Sequence, residues 1–96
     1  MKGYCLFDNV QVHNFEKLED YKKKAAPLVQ QYGGRYIILG GKFTVVEGSW
    51  KPRFMVMIEF PSYDVAQQWY NSEEYKELKA LRLSAVDSHG IIVEGI

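Results

Sequence analysis

The octapeptide Arg53–Phe60, RFMVMIEF, constrains this chain more than any other stretch. Read as an extended strand, it sets Phe54, Val56, Ile58 and Phe60 on one face and Arg53, Met55, Met57 and Glu59 on the other, so both faces are apolar at the centre. Such a strand needs cover on two sides. Pro61 ends it and Ser62 is placed as an N-cap for a short helical stripe of Val65, Ala66 and Trp69. Asn71 and Ser72 then restart the helix, and Tyr75, Leu78, Arg82 and Ala85 share one face of the second piece. Arg82 therefore stands within an apolar stripe, where a guanidinium is costly unless it finds a partner.

The rest of the chain supplies the cover. Gly3–Val12 alternates as a strand, with Tyr4, Leu6, Val10 and Val12 on one face and Cys5 and Phe7 on the other. Asp8 and Asn9 interrupt it, which predicts a bulge or polar groups aimed into a cavity. From Phe15 the period becomes helical through Leu18, Tyr21, Ala25, Leu28, Val29 and Tyr32, capped by Asn14. Pro27 lies inside this pattern and predicts a kink or break near Lys23–Ala26. Gly33 and Gly34 supply the positive φ that ends the helix, and Arg35–Leu39 is the next strand. After Gly40 and Gly41, Lys42–Glu47 alternates again through Phe43 and Val45, which fits a bulge, bend or hairpin. Trp50 falls in the following turn, on a rim. His89 and Gly90 close the loop before a last strand, Ile91–Glu94.

The order β, α, β with an extension, β, α, β is that of an α+β, ferredoxin-like βαββαβ fold. Right-handed crossovers make it a four-stranded antiparallel sheet with the helices on one face, and residues 1–96 are too few for more than one such domain. The other face would expose Met55 and Met57 with, depending on phase, Cys5, Phe7 and residues of Tyr36–Leu39, a large patch for a monomer. A homodimer packed through the open sheet face covers it. Twelve basic residues balance twelve acidic ones, which removes the electrostatic reason for a nucleic-acid or membrane partner and makes Lys22–Lys24 a solvated helix face. The lone Cys5 suits a buried small hydrophobe in a reducing, cytoplasmic compartment, and no apolar run reaches signal-peptide or membrane-spanning length.

YGGRYIILGG (Tyr32–Gly41), EGSWKPR (Glu47–Arg53), IEFPSYDVAQQWYNSEEYKEL (Ile58–Leu78), Arg82 and the closing VEG (Val93–Gly95) resemble the domain-of-unknown-function family thirteen-thirty. That resemblance spans nearly the whole chain and implies a dimeric α/β barrel in a superfamily that includes cofactor-independent monooxygenases, a lactone isomerase and haem-handling enzymes. It implies no agreed reaction.

No metal site is expected, because His13, His89 and Cys5 form no spaced ligand pair, and the diglycines match no phosphate loop or dinucleotide fingerprint. What remains is Arg82, Tyr75, Trp69 and Tyr70 from the helices with Arg35, Glu59 and Asp8 from the sheet. Glu59 ends the strand that feeds the helix and is the expected partner of Arg82, as a pair fixing helix to sheet. On the functional reading, Arg35, Glu59, Trp69, Tyr70, Tyr75 and Arg82 bind a small molecule, Arg82 or Arg35 anchoring a carboxylate or enolate. His13, Tyr75 and Arg82 are then the catalytic candidates, with Tyr75 or His13 supplying a proton. The tyrosines and Trp69 at helical spacing also suit a plain aromatic core. Two functions fit: a cofactor-independent enzyme acting on a small carbonyl or aromatic metabolite, and a non-catalytic homodimeric small-ligand-binding or stress-related module. The homodimer has its own test: light scattering at micromolar concentration should report twice the chain mass, and a monomer would overturn the dimer.

Overall fold

Side-chain alternation decides which face of the sheet is buried, and in the computed structural model, which describes Met1–Ile96, the phase is unambiguous. The strands are β1 (Gly3–Val12), β2 (Arg35–Leu39), β3 (Met55–Phe60) and β4 (Val86–Glu94); the helices are α1 (Phe15–Gln31), α2 (Tyr63–Tyr70) and α3 (Glu73–Ala85). The sheet is antiparallel with order β2-β3-β1-β4, the ferredoxin-like arrangement. On the helix side the rows are Cys5 beside Ile58 and Ile92, then Phe7 beside Val56 and Gly90. Cys5, Phe7, Val56, Ile58 and Phe60 are all buried there, against Leu18, Ala25, Val29, Trp69 and Tyr75 from the helices. No helix is long and apolar enough to cross a membrane.

The open face carries Tyr4, Glu59 and Val93 in one row, Leu6, Met57 and Ile91 in the next, and Asp8, Met55 and His89 in the third. Met55 and Met57 lie there as expected, but Cys5 and Phe7 do not. The helices cover the odd positions of β1, because those are the ones in register with Val56 and Ile58. In β2 a register shift between Tyr36 and Ile38 splits the strand, sending Tyr36 toward the helices opposite Ile58 and Ile38 to the open face opposite Met57.

The caps follow the local chemistry. Asn14, Ser62 and Ser72 accept hydrogen bonds from the backbone N–H of Lys17, Val65 and Tyr75. Pro27 does not break α1, which runs through it. The missing N–H belongs to a turn whose outer residues, Lys23 and Pro27, face solvent, so the freed carbonyl can be hydrated, while Ala25, Leu28 and Val29 hold the helix to the sheet. Phe15, expected on the buried stripe, is 70% exposed because α1 reaches the sheet only from Leu18 onward. Gly33 takes the positive φ (76°) after α1, and Gly34 does not. Two further expectations change. Lys42–Glu47 joins no strand, and β4 begins at Val86, so His89 and Gly90 lie inside it rather than in a loop.

Gly3 starts β1 under the β3–α2 turn, where a Cβ would collide with the backbone of Ser62 and Tyr63. Backbone cannot swing aside as a side chain can. Gly3→Ala should cost about 1–3 kcal/mol in urea denaturation, the range of overpacked sites. Gly41→Ala, where an added Cβ meets open space, should stay within about 0.5 kcal/mol of the parent chain.

Candidate ligand-binding site

Arg82 lies on the inner side of α3, is only 4% exposed, and reaches neither Glu59 nor any other carboxylate. Its Nη2 donates to Asn9 Oδ1 (3.0 Å) and Ser88 Oγ (2.6 Å), and its guanidinium stacks over the Phe7 ring at 4.5 Å from the centroid. The expected Arg82–Glu59 pair is therefore corrected. Glu59 projects from the opposite face of β3, where its Oε1 accepts from Arg35 Nε (3.0 Å) and its Oε2 from Tyr4 Oη (3.2 Å). Strand parity is the reason: helix-side residues of β3 are even-numbered, and 59 is odd.

Beside Arg82 a cavity of about 220 Å³ opens between α1 and the sheet. Leu18, Tyr21, Lys22 and Ala26 roof it from one side of α1; Phe7, Tyr36, Val56 and Ile58 floor it; Leu39 and Phe54 form its rim. Asn9 and Arg82 supply the polar end. The lining contains no aspartate, glutamate or histidine. A second, more polar cleft of about 380 Å³ lies across the Phe7–Arg82 stack, between Gln67, Tyr70, Ser88 and Ile92. Asn9 lines the first space and Ser88 the second, so the guanidinium sits in the partition.

Tyr21 lines the first cavity. Its Oη lies 2.7 Å from that of Tyr75, which is fully buried. Either hydroxyl can donate in this pair; with Tyr75 as donor, the Tyr21 hydrogen would be left for another acceptor. Burial is the main cause raising the pKa of both hydroxyls, with the nearby Arg82 charge opposing it, and burial pushes Tyr36 up to about 12. These tyrosines act as donors at neutral pH, not as bases.

The candidate residues thus separate. Arg82 reaches the cavity and Tyr75 stands behind Tyr21. Tyr70 lines the polar cleft, with the Lys79 ammonium 4.3 Å from its ring centroid. Trp69 is sealed in the core at 4.3 Å from the Tyr75 ring and lines neither space. Arg35 and Glu59 belong to the open face. His13 is a surface residue 3.0 Å from Asp87, outside both spaces. Asp8, also on the open face, accepts from Trp50 Nε1 and the Arg53 N–H. Asn9 was marked in the sequence by the polar interruption of β1, and the structure gives both the cavity group and a bulge between Asn9 and Gln11. Ser88 had no such mark, because its stretch read as a loop.

The chain matches the family described as Domain of unknown function (DUF1330) over residues 2–96, and belongs to it. No curated protein matches the sequence. Among solved structures, a protein of unknown function from Rhodopseudomonas palustris is 18% identical, with a TM-score of 0.73 over 99% of this chain and 82% of that one. A dimeric ferredoxin-like protein of unknown function from Jannaschia sp. CCS1 is 7% identical, with a TM-score of 0.71 over 99% of this chain and 100% of that one. An ethyl tert-butyl ether D family protein from Bacillus halodurans is 16% identical, with a TM-score of 0.63 over the full length of both chains. At these identities the likeness is one of fold.

The Arg35 hydrogen bond is the main cause holding the Glu59 carboxyl below its ordinary value of 4.5, with Tyr4 adding to it. A lowered folded pKa contributes stability at neutral pH that is lost as pH falls through the folded value. Melting temperature followed against pH should therefore show wild type above Glu59→Gln at pH 7, the gap closing below pH 4.5 and shrinking in high salt. A gap unchanged at low pH would show that the carboxylate charge is not its source.

Proposed function

We propose that this member of the DUF1330 family is a homodimeric protein that binds a compact, largely apolar carboxylate or enolate in the cavity beside Arg82. The observation that carries this reading is a buried guanidinium that donates only to neutral acceptors while lining a cavity with no carboxylate. A desolvated cation without a counter-charge is expensive, and an anionic ligand supplies that charge from outside. With Tyr75 donating to it, the Tyr21 hydroxyl would give the ligand a second donor. At about 220 Å³ the space is smaller than the ~300 Å³ lower end of ordinary ligand pockets, so it suits one ring with a short polar substituent.

Arg82 with Tyr21 would stabilise an oxyanion, the electrostatic half of catalysis on a carbonyl compound. With no carboxylate or imidazole in the lining, that arrangement favours binding over proton abstraction. The second copy packs on the open face, where Leu6, Met55 and Met57 are flanked by Ile91 (57% exposed) and Val93 (44% exposed). The Jannaschia protein, which shares the fold, is described as dimeric.

Benzoate and its neutral isostere benzamide test the site. Titrated into labelled protein, benzoate should shift the amides of Asn9, Tyr21, Tyr36 and Ile58. It should bind about ten- to a hundredfold more tightly than benzamide, the worth of one charge-assisted hydrogen bond. Arg82→Met should abolish that preference while the chain stays folded. Equal affinity for the two probes, or shifts confined to the open face, would remove the proposal; a loss of folding in both Arg82→Met and Arg82→Lys would favour a purely structural arginine.

A further inference from the structure

The segment Lys42–Glu47 has the alternation of a strand and none of its bonds. No backbone–backbone hydrogen bond involves it, and it joins no ladder of the sheet. Phe43 is 48% exposed, Val45 42% and Val46 85%, and none is part of the buried core. An uncovered apolar stretch with free N–H and C=O groups is a template for pairing. Glycines in left-handed backbone bracket it, Gly40 at φ 68° and Gly48 at φ 77°, and a Cβ on Gly41 or Gly48 would meet only open space.

Its roots, in contrast, are fixed. Gly40 N–H donates to Met55 O (2.7 Å), the Phe54 ring fills the space a Cβ on Gly40 would need, and Trp50 is tied to Asp8 on the open face. The segment thus leaves the sheet beside the cavity rim at Leu39 and returns through Trp50 to the open face assigned above to a second copy. Its ends carry opposite charges, Lys42 and Glu47, so antiparallel pairing of two copies sets unlike ends together, whereas parallel pairing would set like ends together.

We infer that Lys42–Glu47 is a β-arm completed by the same arm of a second copy, paired antiparallel, and that this pairing closes the cavity whose rim is formed by the arm's roots, Leu39 and Phe54. The second half rests on the ligand-site reading; the first does not.

Amide hydrogen exchange above and below the dimer's dissociation midpoint, with sedimentation and benzoate titration of wild type and a Phe43→Asp, Val46→Asp double variant, separates the two. Both substituted side chains are exposed, so the circular dichroism of the variant should match wild type. Amides at alternate positions of Lys42–Glu47 should be protected in the dimer and exchange freely on dilution. The variant should dimerise about tenfold more weakly or worse, from lost apolar pairing and like charges brought together. At concentrations where the variant is monomeric and wild type is dimeric, its benzoate affinity should fall to that of diluted wild-type monomer. Freely exchanging arm amides in an intact dimer, or an unchanged dimer constant in the variant, overturns the arm. Equal benzoate affinity in variant and wild type overturns the closure. Wild type that binds no benzoate removes the ligand site and the closure with it, and the arm is then judged by exchange and sedimentation alone.

Discussion

One guanidinium joins three elements of this fold. Arg82 leaves α3, bonds Asn9 on β1 and Ser88 on β4, and lies on the ring of Phe7. Phe7 can lie there because the residue opposite it on β4 is Gly90, whose missing side chain leaves the space the ring occupies. A side chain at position 90 would push Phe7 into the guanidinium and disturb the partition between the two cavities. The geometry around Arg82 is thus set by a residue with no polar chemistry, a case of packing deciding where a charge can sit. Neutral acceptors fix its position without cancelling its charge, and a charge held but not neutralised is available to a ligand.

The aromatic cluster does the complementary work. Phe60, Trp69 and Tyr75 form a continuous stack across the helix–sheet boundary, with ring centroids at 5.2 and 4.3 Å, and Tyr21 meets Tyr75 edge-on at 6.3 Å. Rings of this size fill a small core, and their offset and tilted contacts favour one arrangement over many. Tyr75 is therefore better understood as the rigid support that orients the Tyr21 hydroxyl than as a group in contact with ligand. Trp69 leaves its indole N–H without an acceptor, a cost the packing must outweigh.

Much of the fold was legible because the sequence carries it in period and punctuation. The alternation of Met55–Phe60, the helical spacing of Leu18 to Val29 and of Tyr75 to Ala85, and the caps at Asn14, Ser62 and Ser72 are local signals, and each element formed where they fall. What was not legible depended on which face turned inward. The parity of β1 is fixed by its register with β3, and no local signal separates the Cys5–Phe7 face from the Tyr4–Leu6 face when both are apolar. The same parity took Glu59 away from Arg82. That Arg82 needed a partner could be read from its place on an apolar stripe; that the partners would be Asn9 and Ser88 could not, since the strand carrying Ser88 has a polar start that resembles a loop.

The two tryptophans of this chain sit in opposite surroundings. Trp69 is sealed between Phe60 and Tyr75 with no polar partner, while Trp50 is 56% exposed and tied to Asp8 on the open face. An indole in a dry, apolar setting emits at shorter wavelength than one in contact with water. The chain therefore carries two optical reporters without any label. The blue component reads the integrity of the core, and the red component reads the surroundings of the open face, so the two can be followed as separate colours in one cuvette.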